Sequence, residues 1–270
     1  MKELLYRIWS YVGHQFRSWN TGGEGIHSPY LFYLVRMLIY DENRFYCWRD
    51  IEARRRKILA SKQMVEVTDY GTGNQTDNHR CIADIARTSL ERPRVAQILF
   101  RLVSYLGHVQ QRPLRIVELG TSLGITTAYL AMPDSRNHVE TYEGSSALLD
   151  IAQEGWEELG IHNIDVIEGN IDDTLLLGAR DTHARESIDV AYIDANHTKQ
   201  ATLRYFDHLA KSKRSSSIFV LDDIHHSREM AEAWRQICQR EDVTTTMDLY
   251  HIGLVFFDKQ YLKRHYKLRI

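Results

Sequence analysis

The stretch Val117-Glu118-Leu119-Gly120-Thr121-Ser122-Leu123-Gly124-Ile125-Thr126 decides how this chain is read. A β-rich run at 115–119 passes through two glycines into a helical segment at 126–131. Glycine lets a backbone turn sharply and come close to a ligand. The helix opening near Ile125 offers free N–H groups to an anionic group such as a carboxylate. The same alternation recurs downstream. Strand-like runs fall at 138–143, 164–167, 190–194 and 217–222, with helical stretches at 147–159, 174–177, 198–209 and 228–239. That pattern implies βαβ units and a parallel sheet covered by helices, an α/β fold. The end departs from it: 243–250 and 253–257 read as an antiparallel hairpin closing the sheet edge.

Ligands of such sheets sit beyond the carboxyl ends of the strands, so the strand ends are where chemistry is sought. The first turn is spaced Glu-x-Gly-x-x-x-Gly, not the Gly-x-Gly-x-x-Gly of nicotinamide dinucleotide binders. The second run ends in Glu143, about twenty residues beyond Gly124, where an acid can accept hydrogen bonds from both ribose hydroxyls of an adenosine. The third ends in Glu168-Gly169-Asn170-Ile171-Asp172, a small polar turn suited to an adenine edge. Asp194 ends the fourth run, and Asp222 and Asp223 end the fifth. With strands one, four and five side by side, these acids would converge. Oxygen ligands of this kind suit a hard cation such as Mg²⁺. His197 follows Asp194 by three residues, and an imidazole of ordinary pKa near 6.5 suits a general base for a hydroxyl proton. Lys199 is the alternative base, while His225 and His226 could line the site or bind metal.

Taken together, Val-Glu-Leu-Gly-Thr-Ser-Leu-Gly at 117–124, Tyr-Glu-Gly at 142–144, Tyr-Ile-Asp-Ala-Asn-His at 192–197, Val-Leu-Asp-Asp-Ile-His at 220–225 and Gly-Leu-Val-Phe-Phe at 253–257 resemble the class I S-adenosylmethionine-dependent methyltransferases. Within these, the resemblance is to O-methyltransferases of the catechol and caffeoyl-CoA types, and it runs from about Arg94 to Asp258. It implies a Rossmann-like, seven-stranded sheet in the order 3-2-1-4-5-7-6 with strand 7 antiparallel. Glu118, Gly120, Thr121, Ser122, Gly124 and Thr126 would then line the cofactor, with Thr121, Ser122 and Thr126 at its methionine end. Glu143 and Gly144 would take the ribose, Asn170 and Ile171 the adenine, and Asp194 would face the cofactor as well as the metal. The resemblance implies a metal triad of Asp194, Asp222 and Asp223. His197 stands where catechol-type enzymes carry a lysine, a departure that argues against a catechol acceptor. The expected function is methyl transfer to a hydroxyl of a small molecule. The alternatives are a nicotinamide oxidoreductase or a non-catalytic binding module on the same fold.

The flanking sequence sets the context. Residues 1–93 are helical in pattern, with apolar positions of 1–19 spaced near 3.6 residues, and further helices at 30–40, 48–63 and 82–89. This region is expected to form a cap, a substrate wall or a dimer face on a catalytic domain of 94–258. The polar, glycine-containing loop 69–78 is the candidate lid. Residues 259–270 form a basic tail, expected as a solvated helix or arm. Basic and acidic side chains number 34 and 36, a near balance that argues against a nucleic-acid binder despite Arg54-Arg55-Arg56-Lys57. Cys47, Cys81 and Cys238 form no CxxC pair, so neither a disulfide framework nor a thiolate zinc site is expected. No apolar run is long enough to span a bilayer, and a cytoplasmic location is expected.

Overall fold

The structure is a computed structural model that describes residues 2–18, 23, 25–68, 70, 78–176 and 187–270. Most of the candidate lid, 69 and 71–77, lies outside the described residues. In chain order the elements are α1 (Lys2–Arg17), α2 (Pro29–Ile39), α3 (Tyr46–Leu59), β1 (Met64–Glu66), β2 (His79–Cys81), α4 (Ile82–Ser89), α5 (Pro93–Gln110), β3 (Arg115–Leu119), α6 (Ile125–Ala131) and β4 (His138–Glu143). They continue as α7 (Ser146–Glu158), β5 (Ile164–Glu168), α8 (Ile171–Thr174), β6 (Ile188–Ile193), α9 (Lys199–Leu209), β7 (Lys213–Asp222), α10 (Arg228–Gln239), β8 (Thr245–Asp248), β9 (Ile252–Phe256) and β10 (Arg264–Lys267). Packing gathers them into two compact units, Glu42–Asp181 and Met1–Asp41 with Thr182–Ile270.

In the Glu42–Asp181 unit, β3, β4 and β5 pair in parallel in the order 5-4-3. The register sets Leu119 beside Tyr142 and Glu143 beside Glu168, so the turns after the strands open on one side. All five side chains of β3 are buried, the pattern of a strand covered on both faces. Two cations of the basic run of α3, Arg54 and Arg55, turn inward, while Arg56 and Lys57 are exposed. Arg54 donates to the Ile151 carbonyl at 2.9 Å and to Glu158, and Arg55 donates to Glu52 and the Glu91 carbonyl. Lys57 closes on Glu158 at 2.6 Å. Arg54, Arg55 and Lys57 are therefore engaged in contacts within the fold.

In the other unit the strand order is 6-7-9-8-10. β6 and β7 are parallel with Ile193 beside Leu221, which brings the next residues, Asp194 and Asp222, to the same strand ends. β9 runs antiparallel to both β7 and β8. These orders reproduce the expected 3-2-1 and 4-5-7-6 segments. One expectation fails: the hairpin β8–β9 does not close the edge. Residues 264–267 of the basic tail form β10, parallel to β8, and Leu268 is fully buried. Among the described residues, eight strands thus stand where seven were expected. The run Arg-His-Tyr-Lys has no apolar alternation, and its bonding partner is an exposed strand edge, which any extended backbone can satisfy. The helix starts follow local chemistry: Ser28, Thr198 and Ser227 each cap a helix by accepting a backbone N–H three residues on.

Candidate active site

The turn after β3 is shaped by left-handed residues. Gly120, Ser122 and Gly124 have φ of 98°, 49° and 72°. A Cβ on Gly124 would lie 2.6 Å from the Ala152 Cβ and 2.8 Å from Trp156 Nε1, and that indole donates to the Gly124 carbonyl. Glycine at 124 is therefore required twice, by dihedral and by contact. α6 starts directly after it, at Ile125. The Glu143 carboxylate closes onto this turn. Its Oε2 accepts the Ser122 N–H at 2.8 Å, and Oε1 accepts those of Gly144 and Ser145 at 2.9 and 3.0 Å. An ionised carboxylate has about four acceptor sites. Three fixed N–H donors aim the group at the end of β4.

The remaining residues expected to line the cofactor divide by burial. Glu118 is fully buried and binds the hydroxyls of Thr127 and Thr141, both at 2.6 Å. Thr121 is buried with its hydroxyl 2.6 Å from that of Thr141, and Thr126 is buried in α6. These groups brace the turn from beneath. Ser122 is at the surface, its hydroxyl donating to Ser89 at 2.9 Å. Asn170 caps α8 by accepting the Asp172 N–H at 3.0 Å, and Ile171 is half-buried behind it. Sequence reasoning missed Tyr70. Its ring lies against Gly144, so close that a Cβ there would sit 2.5 Å from the ring. Nothing in a polar loop marks one tyrosine as the residue that covers a turn 74 positions away.

In the other unit the turns after β6 and β7 hold two imidazole–carboxylate pairs. His197 Nε2 lies 3.4 Å from Asp194 Oδ1, and His226 Nδ1 lies 3.0 Å from Asp223 Oδ2. The two rings stack with centroids 6.0 Å apart and 24° between planes. Asn196, His197 and Asp223 all have positive φ, 59°, 26° and 52°, a conformation that costs a non-glycine residue about 1–3 kcal/mol. Such strain is maintained by surroundings that determine it, and it clusters where side chains must be aimed.

The hydrogen bonds of the two histidines distinguish them. Arg7 can only donate, and its Nη2 lies 2.5 Å from His226 Nε2 while its Nε donates to the His226 carbonyl. His226 Nε2 must then be the acceptor and Nδ1 the N–H turned to Asp223, so both ring nitrogens are engaged. His197 holds Nε2 3.4 Å from Asp194 on a half-exposed ring. Burial raises the Asp223 carboxyl, but the His226 hydrogen bond and the charges of His197, His226 and His251 outweigh it, holding it below the ordinary carboxylate range. Lys199 is drawn to Glu232, 3.7 Å away, on α10.

Behind these turns lies a buried network. Asp248 sits between His14 Nε2 at 3.1 Å and His225 Nε2 at 2.9 Å, and it accepts the Tyr250 N–H at 3.0 Å. His225 is therefore committed to Asp248. The expected metal triad does not form. Asp194 and Asp223 turn to separate histidines, and among the described residues no group of three or more His, Cys, Asp or Glu side chains is arranged to hold a metal ion. The residues present thus do not fit the divalent cation expected at Asp194, Asp222 and Asp223. The reason is local for two of the three: Asp194 and Asp223 each have a histidine three residues ahead within reach, whereas Asp222 is buried and the histidine three residues after it, His225, goes to Asp248.

Residues 117–224 match a family model described as a methyltransferase domain. No curated protein matches the chain. Among solved structures, the chain is similar to an O-methyltransferase from Bacillus cereus in complex with SAH, at 19% identity and a TM-score of 0.55, over 83% of this chain and 95% of that one. It is similar to SAH-bound PaMTH1, a methyltransferase from Podospora anserina, at 12% identity and a TM-score of 0.55, over 88% and 97%. A third is TomG from Streptomyces achromogenes, an O-methyltransferase involved in tomaymycin synthesis and complexed with SAM, at 17% identity and a TM-score of 0.54, over 84% and 94%. At these identities the likeness is one of fold, and that fold is the Rossmann-like methyltransferase fold.

Proposed function

From a chain whose residues 117–224 match a methyltransferase domain on a fold of that kind, we propose S-adenosylmethionine-dependent methyl transfer to a hydroxyl of a small molecule. The observation that carries the cofactor reading is Glu143, aimed by three backbone N–H groups at the end of β4 beside the Gly120–Gly124 turn. Glu143 would accept the ribose hydroxyls and Asn170 with Ile171 would border the adenine. The backbone of 120–124 would receive the methionine end. The cofactor supplies an electrophilic methyl group on a sulfonium.

What this chain's residues do is position and deprotonate. His197 Nδ1 takes the proton of the acceptor hydroxyl, and Asp194 orients the ring through Nε2 and stabilises the imidazolium that results. His226, held by Arg7 and Asp223, serves as the fixed plate against which His197 stacks. Asp194 and Asp223 act through these histidines, so a metal plays no part in the reading. A protonated His197 beside two carboxylates also offsets the charge that an ionised acceptor would face. The remaining rate enhancement comes from alignment of acceptor oxygen and methyl group.

Calorimetric titration with S-adenosylhomocysteine tests the cofactor assignment. Binding in the micromolar range is expected, and its absence at high micromolar ligand would sink the reading. Titration with reduced nicotinamide cofactor should give no signal, in keeping with the absent Gly-x-Gly-x-x-Gly.

A further inference from the structure

Helix α1 meets its surroundings through polar groups. Its apolar Leu5, Ile8, Trp9, Val12 and Phe16 are exposed, whereas His14 and Ser18 are buried. Arg7, His14 and, one residue beyond the helix, Ser18 follow at seven- and four-residue steps, so they line one side. Arg7 bonds to the His226 carbonyl and ring, and about 10 Å further along the axis His14 reaches Asp248. The Asp248 side chain is buried, and among the described residues it has no arginine or lysine partner. It meets His14 Nε2 at 3.1 Å, His225 Nε2 at 2.9 Å and the Tyr250 N–H at 3.0 Å. Burial raises its carboxyl, but the hydrogen bonds and charges of the two histidines outweigh this and keep it ionised. A carboxylate withdrawn from water needs a positive charge close by. The hydrogen bonds indicate which imidazole carries it. Ser18 Oγ lies 2.7 Å from the His14 carbonyl, which can only accept, and 3.1 Å from His14 Nδ1. A hydroxyl has one proton to give. With that proton on the shorter contact, Nδ1 donates to Ser18. Nε2 faces the Asp248 carboxylate at 3.1 Å and the Asp248 carbonyl at 3.2 Å, both acceptors. Both ring nitrogens of His14 thus act as donors.

We infer that His14 is a buried imidazolium and a positioning residue of the candidate active site: its proton fastens α1, and α1 brings Arg7 to His226, the ring on which His197 stacks. Arg7 is exposed, and contacts open to water hold little by themselves. The buried clasp two turns away keeps them in place. The other ionisable groups around His14 come from several elements. The turn after β7 supplies His225, its ring centroid 6.0 Å away, and the β8–β9 turn supplies Tyr250 at 5.4 Å, itself against Tyr11 and His251. β10 sets Lys267 beside Asp248 in register without an ion pair, and Arg269 donates to the Gln15 carbonyl at 2.6 Å. Of these only the histidines titrate near neutrality, and His225 shares Asp248 with His14. A free imidazole holds its second proton only below about pH 6.5. Above that pH, docked α1 binds one proton more than released α1. Docking then weakens by about tenfold per pH unit until docked His14 gives up its proton. Rising pH thus frees α1 and withdraws Arg7 from His226. The use of His197 as a base rests on the methyl-transfer reading. The proton on His14 and its hold on α1 do not, and the measurements below read only the histidines and the helix.

The full chain labelled with ¹⁵N-histidine tests this, with the His14 signals identified by their loss in His14→Gln. At pH 6 both ring nitrogens of His14 should carry protons in long-range ¹H–¹⁵N spectra. His226 should show the single Nδ1–H tautomer that Arg7 imposes. Hydrogen exchange of the α1 amides, corrected for intrinsic rate, should lose protection about tenfold per pH unit above about pH 6.5, while β7 amides keep theirs. The single tautomer of His226 should disappear over the same range. His14→Gln cannot carry the charge. At pH 6 it should lower α1 protection at least about tenfold, with no pH slope and with β7 still protected. A His14 ring whose Nδ1 is unprotonated at pH 6 would overturn the proposal. So would α1 protection that persists after His14 has lost its proton. A His14→Gln chain that keeps wild-type α1 protection and the His226 tautomer would do the same. Wild type alone decides the first two outcomes, so misfolding of the variant leaves the test intact.

Discussion

At the scale of single residues, the arrangement separates groups that act from groups that hold. His197 has one ring nitrogen 3.4 Å from Asp194 on a half-exposed ring, whereas His226 has both engaged. His197→Ala should therefore lower kcat by about 10²–10⁴-fold while leaving S-adenosylhomocysteine affinity within twofold, measured by steady-state kinetics and calorimetry. An equal fall in both would make His197 a structural residue. Glu143→Gln exchanges one acceptor oxygen for an NH₂ that faces fixed N–H donors. Cofactor-product affinity should drop by roughly 10–100-fold, since hydrogen bonds to a charged group are worth about 1.5–3 kcal/mol. Gly124→Ala meets both a positive φ and the Ala152 side chain. It should cost about 2 kcal/mol or more in a denaturant melt.

At the scale of elements, α1 is attached through a buried ion network rather than through its apolar face. Burial alone would raise the Asp248 carboxyl, but the hydrogen bonds and charges of His14 and His225 hold it well below the usual carboxylate range. A carboxyl lowered in the folded state contributes stability that is complete above its unfolded value, near 3.8, and is lost as pH falls through the folded value. Asp248→Asn should therefore destabilise by about 2–4 kcal/mol near pH 6, with the gap from wild type narrowing below about pH 4. Calorimetric melts across pH 3–6 read this directly, and a gap independent of pH would remove Asp248's charge as the cause. β10 makes a second element-scale case. Leu268, just beyond it, is fully buried, so Leu268→Ala should cost about 2–4 kcal/mol, an outcome that a solvated tail would not give.

At the scale of the whole molecule, a cofactor that binds only the folded chain stabilises it by mass action. S-adenosylhomocysteine at a hundred times its Kd should add about 2.7 kcal/mol, a rise in Tm of roughly 5–10 °C for a chain of this length. A thermal shift assay checks it, and the Glu143→Gln variant should lose most of the shift at the same ligand concentration. Sequence alone determined the alternation of strands and helices, the reversed strand near the end and the strand-end positions of Glu143, Asp194, Asp222 and Asp223. Each of those is a local property: side-chain period, glycine position and chain order are written residue by residue. Other partners were not local. That His225 goes to Asp248 rather than to Asp222, that Glu118 faces inward, that Tyr70 covers Gly144, and that the tail supplies β10 all depend on residues far apart in the chain. The same holds for α1, whose periodicity marks an apolar face but not its direction. Only tertiary packing decided that, because the contact of His14 with buried Asp248 and the bonds of Arg7 to His226 hold the polar face inward.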